Sequence, residues 1–180
     1  MYDEKAMMRL LADSKTVRQG FEMLVDQYSE MLYWQIRRIV FNHDDADDVL
    51  QNTLIKAWIN LNKFERKSKI STWLSRIAIN EAIDFTRRKH RYDQLSADDS
   101  ITIANQLMAD EYFDGNEAQV KLQEAIASLP AVQRAVFNMR YFEEMKYSKM
   151  SEILGTSEGA LKASYHLAVK KIKAFLEKSN

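Results

Sequence analysis

Between Ile70 and Tyr92 the chain reads ISTWLSRIAINEAIDFTRRKHRY. Wound as a helix at about 100° per residue, this stretch places Arg76, Asn80, Asp84, Arg87, Arg88 and Arg91 within an arc of roughly 120°. Ile70, Trp73, Leu74, Ile77, Ala78 and Phe85 recur at three- and four-residue steps, the spacing of a buried face. The two residue types in the polar arc do different chemistry. Guanidinium groups hold phosphates through charge, indifferent to sequence. An asparagine amide presents a donor and an acceptor together, so Asn80 can distinguish base edges. One face is therefore expected to pack and the other to meet a partner, with a merely solvated face as the alternative reading. A second basic face lies near the C-terminus. There Gly159, Lys162, Ala163, His166, Lys170 and Lys173 fall opposite Leu161, Tyr165, Ala168, Ile172 and Phe175. Small residues at Gly159 and Ala163 let a partner come close, and the lysines can reach phosphates or base edges.

A third cluster, NHDDADDVLQ from Asn42 to Gln51, carries hard oxygen ligands of the kind magnesium or calcium takes. It lacks the mid-loop glycine and closing glutamate of a calcium loop. The better reading is a helix start, in which Asp44 or Asp45 caps and the other acids oppose the positive end. Asp48 and Gln51 then stand exposed beside the cap, available to a basic partner. Neither a metal, a cofactor nor a catalytic set is expected, and a metal-dependent hydrolase built on His43 and these acids lacks the second carboxylate cluster it would need.

These faces require helices to carry them. The 180 residues include four glycines, one proline and no cysteine, and 46% are apolar. Packed helices are expected, with neither disulfides nor thiolate metal sites. No apolar run approaches a membrane span and the start shows no cleavage signal, so a cytoplasmic protein is expected. The net charge is zero, but its distribution is uneven. From Lys63 to Arg91 nine basic residues face three acidic ones, whereas Asp93 to Glu117 holds seven acids and neither lysine nor arginine.

The apolar periods predict four helices, at about 3–12, 15–41, 45–61 and 71–91, forming one bundle over residues 1–92. An acidic linker at 93–117 follows, then a second helical domain at 118–180. In the latter, Pro130 opens a helix, a short helix covers 148–154, Gly155 ends it, and Ser157 caps a last helix running to about 177. Helix, glycine turn and helix make a helix-turn-helix. The fold class is all-α, two small domains joined by an acidic linker.

Taken in order, DADDVLQNTLIKAW, STWLSRIAINEAIDFTRRKHR, the acidic spacer, SLPAVQRAVFNMRYFE and SEILGTSEGALKASYHLAVKKIKAFL resemble the extracytoplasmic-function group of bacterial sigma factors, over about Phe21 to Leu176. The resemblance implies a promoter-specificity subunit of RNA polymerase. Its first domain would bind core polymerase through Asp48, Gln51 and Asn52. It would melt the minus-ten element with Arg76, Asn80, Arg87, Arg88 and Arg91, the loop from Asn62 to Ser71 helping to capture an extruded base. Its second domain would read duplex minus-thirty-five DNA with Gly159, Lys162, Ala163, His166 and Lys170. Core RNA polymerase, promoter DNA and an anti-sigma factor are the partners implied, with no membrane insertion of its own. Ile70 and Leu167 stand where many relatives carry an aromatic residue and an arginine. A regulator binding duplex DNA alone is the rival reading, and it leaves the 87–91 basic run and the DADDVLQ surface without a role.

Overall fold

The computed structural model describes residues 3–65, 67–93 and 116–178, and among them only helices and their connections occur. In chain order the helices are α1 (Glu4–Ala12), α2 (Val17–Val40), α3 (His43–Ile59), α4 (Ile70–Asp93), α5 (Glu117–Ala127), α6 (Ala131–Tyr141), α7 (Tyr147–Leu154) and α8 (Glu158–Lys178). A 3₁₀ turn spans Leu61–Lys63. Most of the proposed acidic linker lies outside the described residues; only its ends, Asp93 in α4 and Asn116 and Glu117 at the start of α5, fall within them.

Short polar residues set the helix starts. Asp3 accepts from the Lys5 amide at 3.0 Å, and Asn116 and Gln119 form a reciprocal capping box. Ser157 Oγ accepts from the Ala160 amide at 3.3 Å, as expected of that serine. The third helix corrects the sequence reading. Its cap is Asn42, whose side-chain oxygen accepts from the Asp45 amide at 3.0 Å, while Asp44 and Asp45 occupy the first turn and oppose the helix dipole. Asparagine caps as well as aspartate does, and the helix starts two residues early because of it. Gly155 ends α7 at φ 64°, a left-handed geometry that only glycine adopts freely. Gly20 serves a different need: a Cβ there would lie 2.8 Å from the Leu11 amide nitrogen, so its absence lets α1 lie on α2.

Leu24, Leu32 and Ile36 of α2 are buried against Val49 and Ala57 of α3 and Leu74 and Ala78 of α4. Ile79 and Ile83 are buried too, although they lie off the stripe read from sequence, because α4 is covered by α2 and α3 and also by α6 and α7. The same core continues through Val136, Met139, Met150 and Leu161 in the second half of the chain. A second cluster joins Ala125, Ile126, Leu129, Phe137, Ala168 and Ile172, and Phe41 from the end of α2 sits within it. Trp58 departs from its expected place in the α3 stripe. It is 45% exposed and meets Phe21 edge-on, with ring centroids 4.9 Å apart.

Candidate nucleic-acid interface

The polar arc of α4 is at the surface, with Arg76, Asn80, Asp84, Arg87 and Arg88 all exposed. Their surroundings differ. Arg76 donates through Nε to the Glu152 carbonyl of α7 at 3.1 Å, with a second donor from its guanidinium to the same oxygen. Arg87 lies 3.7 Å from the Asp84 carboxylate one turn earlier, and with Arg88 and His90 they line a shallow recess. Asn80 makes no hydrogen bond to the described residues, so its amide is presented outward. Arg91 lies on the last turn of α4, and its side chain is outside the described residues. Lys89, part of the basic run, is tied to Asp45 of α3 at 2.6 Å.

The segment before α4 forms a cleft with α1. Phe64, Ser68, Lys69 and Ile70 enclose it on one side and Glu4, Lys5 and Met8 on the other, with a volume of about 310 Å³. Phe64 packs on Trp73 at 5.2 Å, which holds the segment to α4. Ile70 itself is buried in the core at 1% exposure. The α1 wall was not foreseen from sequence. Its charged residues carry no signal until the chain brings them beside the loop.

Asp48, Gln51 and Asn52 stand together on the exposed side of α3. The row continues into Ile55, Trp58 and Ile59, apolar residues left 55%, 45% and 65% exposed. Contiguous exposed apolar side chains of this size mark interaction surfaces. At the acidic end, His43 hydrogen-bonds Tyr33 Oη through Nδ1 at 2.7 Å and lies 3.5 Å from Asp47 through Nε2. Both ring nitrogens are thus engaged within the protein, and among the described residues no three acidic or histidine side chains converge as a metal site does.

On α8, Gly159, Lys162, Ala163, His166 and Lys170 are all exposed on the side away from buried Leu161, Ala168 and Ile172. A Cβ added at Gly159 would meet nothing within 4 Å, so the chain's own packing does not require glycine there. Lys162 Nζ lies 5.6 Å from the centroid of Tyr147 on α7, which steadies it against the preceding helix of the helix-turn-helix.

Sequence reasoning missed one set of functional-looking polar groups, those buried between α2 and α6. Arg134 is 8% exposed, and burial lowers its guanidinium pKa to about 10. Asn138 and Gln35 are buried beside it, and burial raises the Glu143 carboxyl above its ordinary range. The signal was present in Gln35, which interrupts the α2 stripe between Leu32 and Ile36, and in Arg134 and Asn138, four apart among apolar neighbours.

Comparison with known proteins identifies the family. The family model for sigma-70 region 2 matches residues 24–92, and that for sigma-70 region 4 matches residues 119–172. The chain is 31% identical over 165 residues to the ECF RNA polymerase sigma factor SigW of Bacillus subtilis, covering 84% of this chain and 88% of that protein. It is 27% identical to RNA polymerase sigma factor YlaC of the same organism, covering 90% and 95%. In fold it resembles the sigma factor RpoE in complex with the anti-sigma factor NepR from Bartonella quintana, with a TM-score of 0.68, 23% identity and coverage of 88% and 98%. CnrH in complex with the cytosolic domain of CnrY gives the same TM-score at 21% identity, covering 99% of both chains. Among the described residues no helix is long and apolar enough to cross a membrane. The chain belongs to the extracytoplasmic-function group of sigma-70 factors, the family that directs RNA polymerase to initiate transcription at particular promoters.

Proposed function

We propose that this chain binds core RNA polymerase through α3, reads duplex minus-thirty-five DNA through α8, and melts the minus-ten element on the outer face of α4. The observation that carries the reading is the outer arc of α4. Arg87 and Arg88 are exposed on one side of a helix that also presents the Asn80 amide outward. Melting a duplex loses stacking and pairing, and a cationic face together with a pocket for an extruded base offsets that loss. The arginines supply the first. Asn80 and the cleft between α1 and the 64–70 segment are the two candidates for the second, and Asn80 is not among the residues that line the cleft.

Asp48, Gln51 and Asn52, continued by Ile55, Trp58 and Ile59, offer core polymerase an apolar centre with a polar margin, the layout of a protein interface. The division into 1–92, a linker at 93–117 and 118–180 belongs to the same reading, and so does an anti-sigma partner, as RpoE has in NepR. Regulation of transcription initiation, without catalysis by the chain itself, is the activity assigned.

The test is transcription from a promoter reconstituted with core polymerase, with permanganate footprinting of the melted strand. The wild-type chain is expected to support promoter-dependent transcription. Asn80→Ala is expected to retain core and duplex binding yet relax preference at one minus-ten position, by about 1–2 kcal/mol. Discrimination surviving that change moves the reading of the base to the cleft. Transcription failing with an intact, polymerase-bound chain overturns the proposal.

A further inference from the structure

The basic outer face of α8 carries an apolar side chain that the folding of the chain does not explain. Leu167 is 48% exposed. It belongs to the row Gly159, Ala163, Leu167 and Lys171, whose members are four residues apart and so lie one turn above another on the helix surface. All four are exposed. The first two project little, and a Cβ at Gly159 would meet nothing within 4 Å, so that end of the row is open to a partner. The fourth is occupied within the chain, because Lys171 Nζ donates to Gln133 Oε1 of α6 at 2.9 Å. Leu167 stands between the open end and the anchored one. A helical side chain leans toward the N-terminus, so Leu167 overhangs the turn that carries Ala163.

Val169, 38% exposed on the same helix, is a different case. Its row runs from buried Leu161 through half-buried Tyr165 to Val169, so its exposure is the rim of a packed stripe. The row of Leu167 holds no buried residue, and a polar side chain there would suit the fold as well. Lys170, three residues on, is its neighbour on the helix surface and can hold a phosphate. An apolar group set among phosphate-holding cations meets one apolar feature in the major groove of a duplex, the C5-methyl group of thymine. An arginine in the same place would instead donate to guanine O6 and N7. Leucine offers guanine no donor and leaves those acceptors without partners, which disfavours that base.

We infer that Leu167, leaning over Ala163, reads the methyl group of a thymine and so sets a preference for a T·A pair at one position of the duplex that α8 meets. The inference rests on the proposed reading of α8 as the duplex-facing helix.

The experiment uses the full chain bound to core polymerase and promoter duplexes randomised across the minus-thirty-five element, with the bound fraction sequenced. The wild-type chain is expected to favour thymine at one position. Leu167→Ala is expected to lose the preference at that position alone, and Leu167→Arg to move it to guanine by about tenfold. In the favoured duplex, deoxyuridine in place of that thymine removes the methyl group and nothing else, so this arm needs no variant. It is expected to weaken wild-type binding about fourfold, the effect of burying one methyl-sized group. Leu167→Ala should then bind the thymine and uracil duplexes equally, while Val169→Ala keeps the wild-type difference. Equal wild-type binding of the two duplexes overturns the inference, and so does a difference that survives Leu167→Ala or vanishes in Val169→Ala. A library returned with base preferences but no methyl effect strikes the inference alone. A library returned with no base preference at all counts against the proposed reading of α8 and takes the inference with it.

Discussion

Helices α4 and α8 are both long, at 24 and 21 residues, and both carry a basic outer face over an apolar inner one. Their circumstances differ. Helix α8 packs on α5, α6 and α7, and Gly159, Ala163, His166 and Lys170 are exposed on its far side. Helix α4 lies in the middle, covered by four other helices, and part of its basic face is already engaged, Arg76 by α7, Arg87 by Asp84 and Lys89 by Asp45. The difference shows that charge spacing identifies a face, whereas readiness depends on neighbours the spacing does not contain.

The strongest way to separate the two is to reverse charge on α4 alone. Arg87→Glu with Arg88→Glu is expected to weaken minus-ten single-strand binding by roughly 100-fold and leave duplex binding through α8 unchanged. Equal loss on both DNA forms, measured by anisotropy, would merge the two faces into one. Asp48→Arg is expected to weaken core-polymerase binding by about 2 kcal/mol while both DNA faces keep their affinities. Because Asn42 and not Asp48 caps α3, the melting temperature should stay unchanged, and a fall in it would return Asp48 to a structural role.

On α8, Lys170→Ala is expected to weaken all duplexes alike by about 1 kcal/mol and flatten the salt dependence by about one unit. Lys162→Ala should also relax preference at one base pair, and identical behaviour of the two variants would deny any division between positioning and reading. The smallest effect is that of pH on the contact between α2 and α6. Burial raises the Glu143 pKa from 4.5, so the folded chain holds that proton more tightly than the unfolded one. The advantage is full below 4.5 and lost as pH rises through the raised value, so this group's contribution to the melting temperature should fall with rising pH. Glu143→Gln should abolish that contribution, read as the difference between the melting temperatures of the two proteins across the pH range.

Helix type and approximate extent were legible because they are local. Periodic Leu24, Leu32 and Ile36, Pro130 opening a helix, Gly155 ending one and Ser157 capping the last each act within a turn or two. The exposed faces of α4 and α8 were legible for the same reason. Trp58 was misplaced because a stripe of period 3.6 says which side is apolar but not whether a neighbour covers all of it. The burial of Ile79 and Ile83, the α1 wall of the cleft and the hydrogen bond from buried Arg134 to the Ile39 carbonyl of α2 depend on residues between 55 and 95 positions apart or on several helices at once. Local patterns do not encode such meetings.

Helices α3 and α4 run antiparallel and are tied at two places, Asp45 to Lys89 and Lys56 to Glu81, with buried Ala46 and Val49 of α3 and Ala82 and Ile83 of α4 between the ties. Packing along that apolar seam, with the two ion pairs beside it, sets one register between the helices, so the pair forms a bracket. On the proposed reading, one plate of that bracket is fastened to the polymerase and the other holds the strand. The first base to leave the duplex is then set by the dimensions of the bracket, and a slip of one helical turn between its plates would move the opening point along the DNA without altering any residue that touches a base.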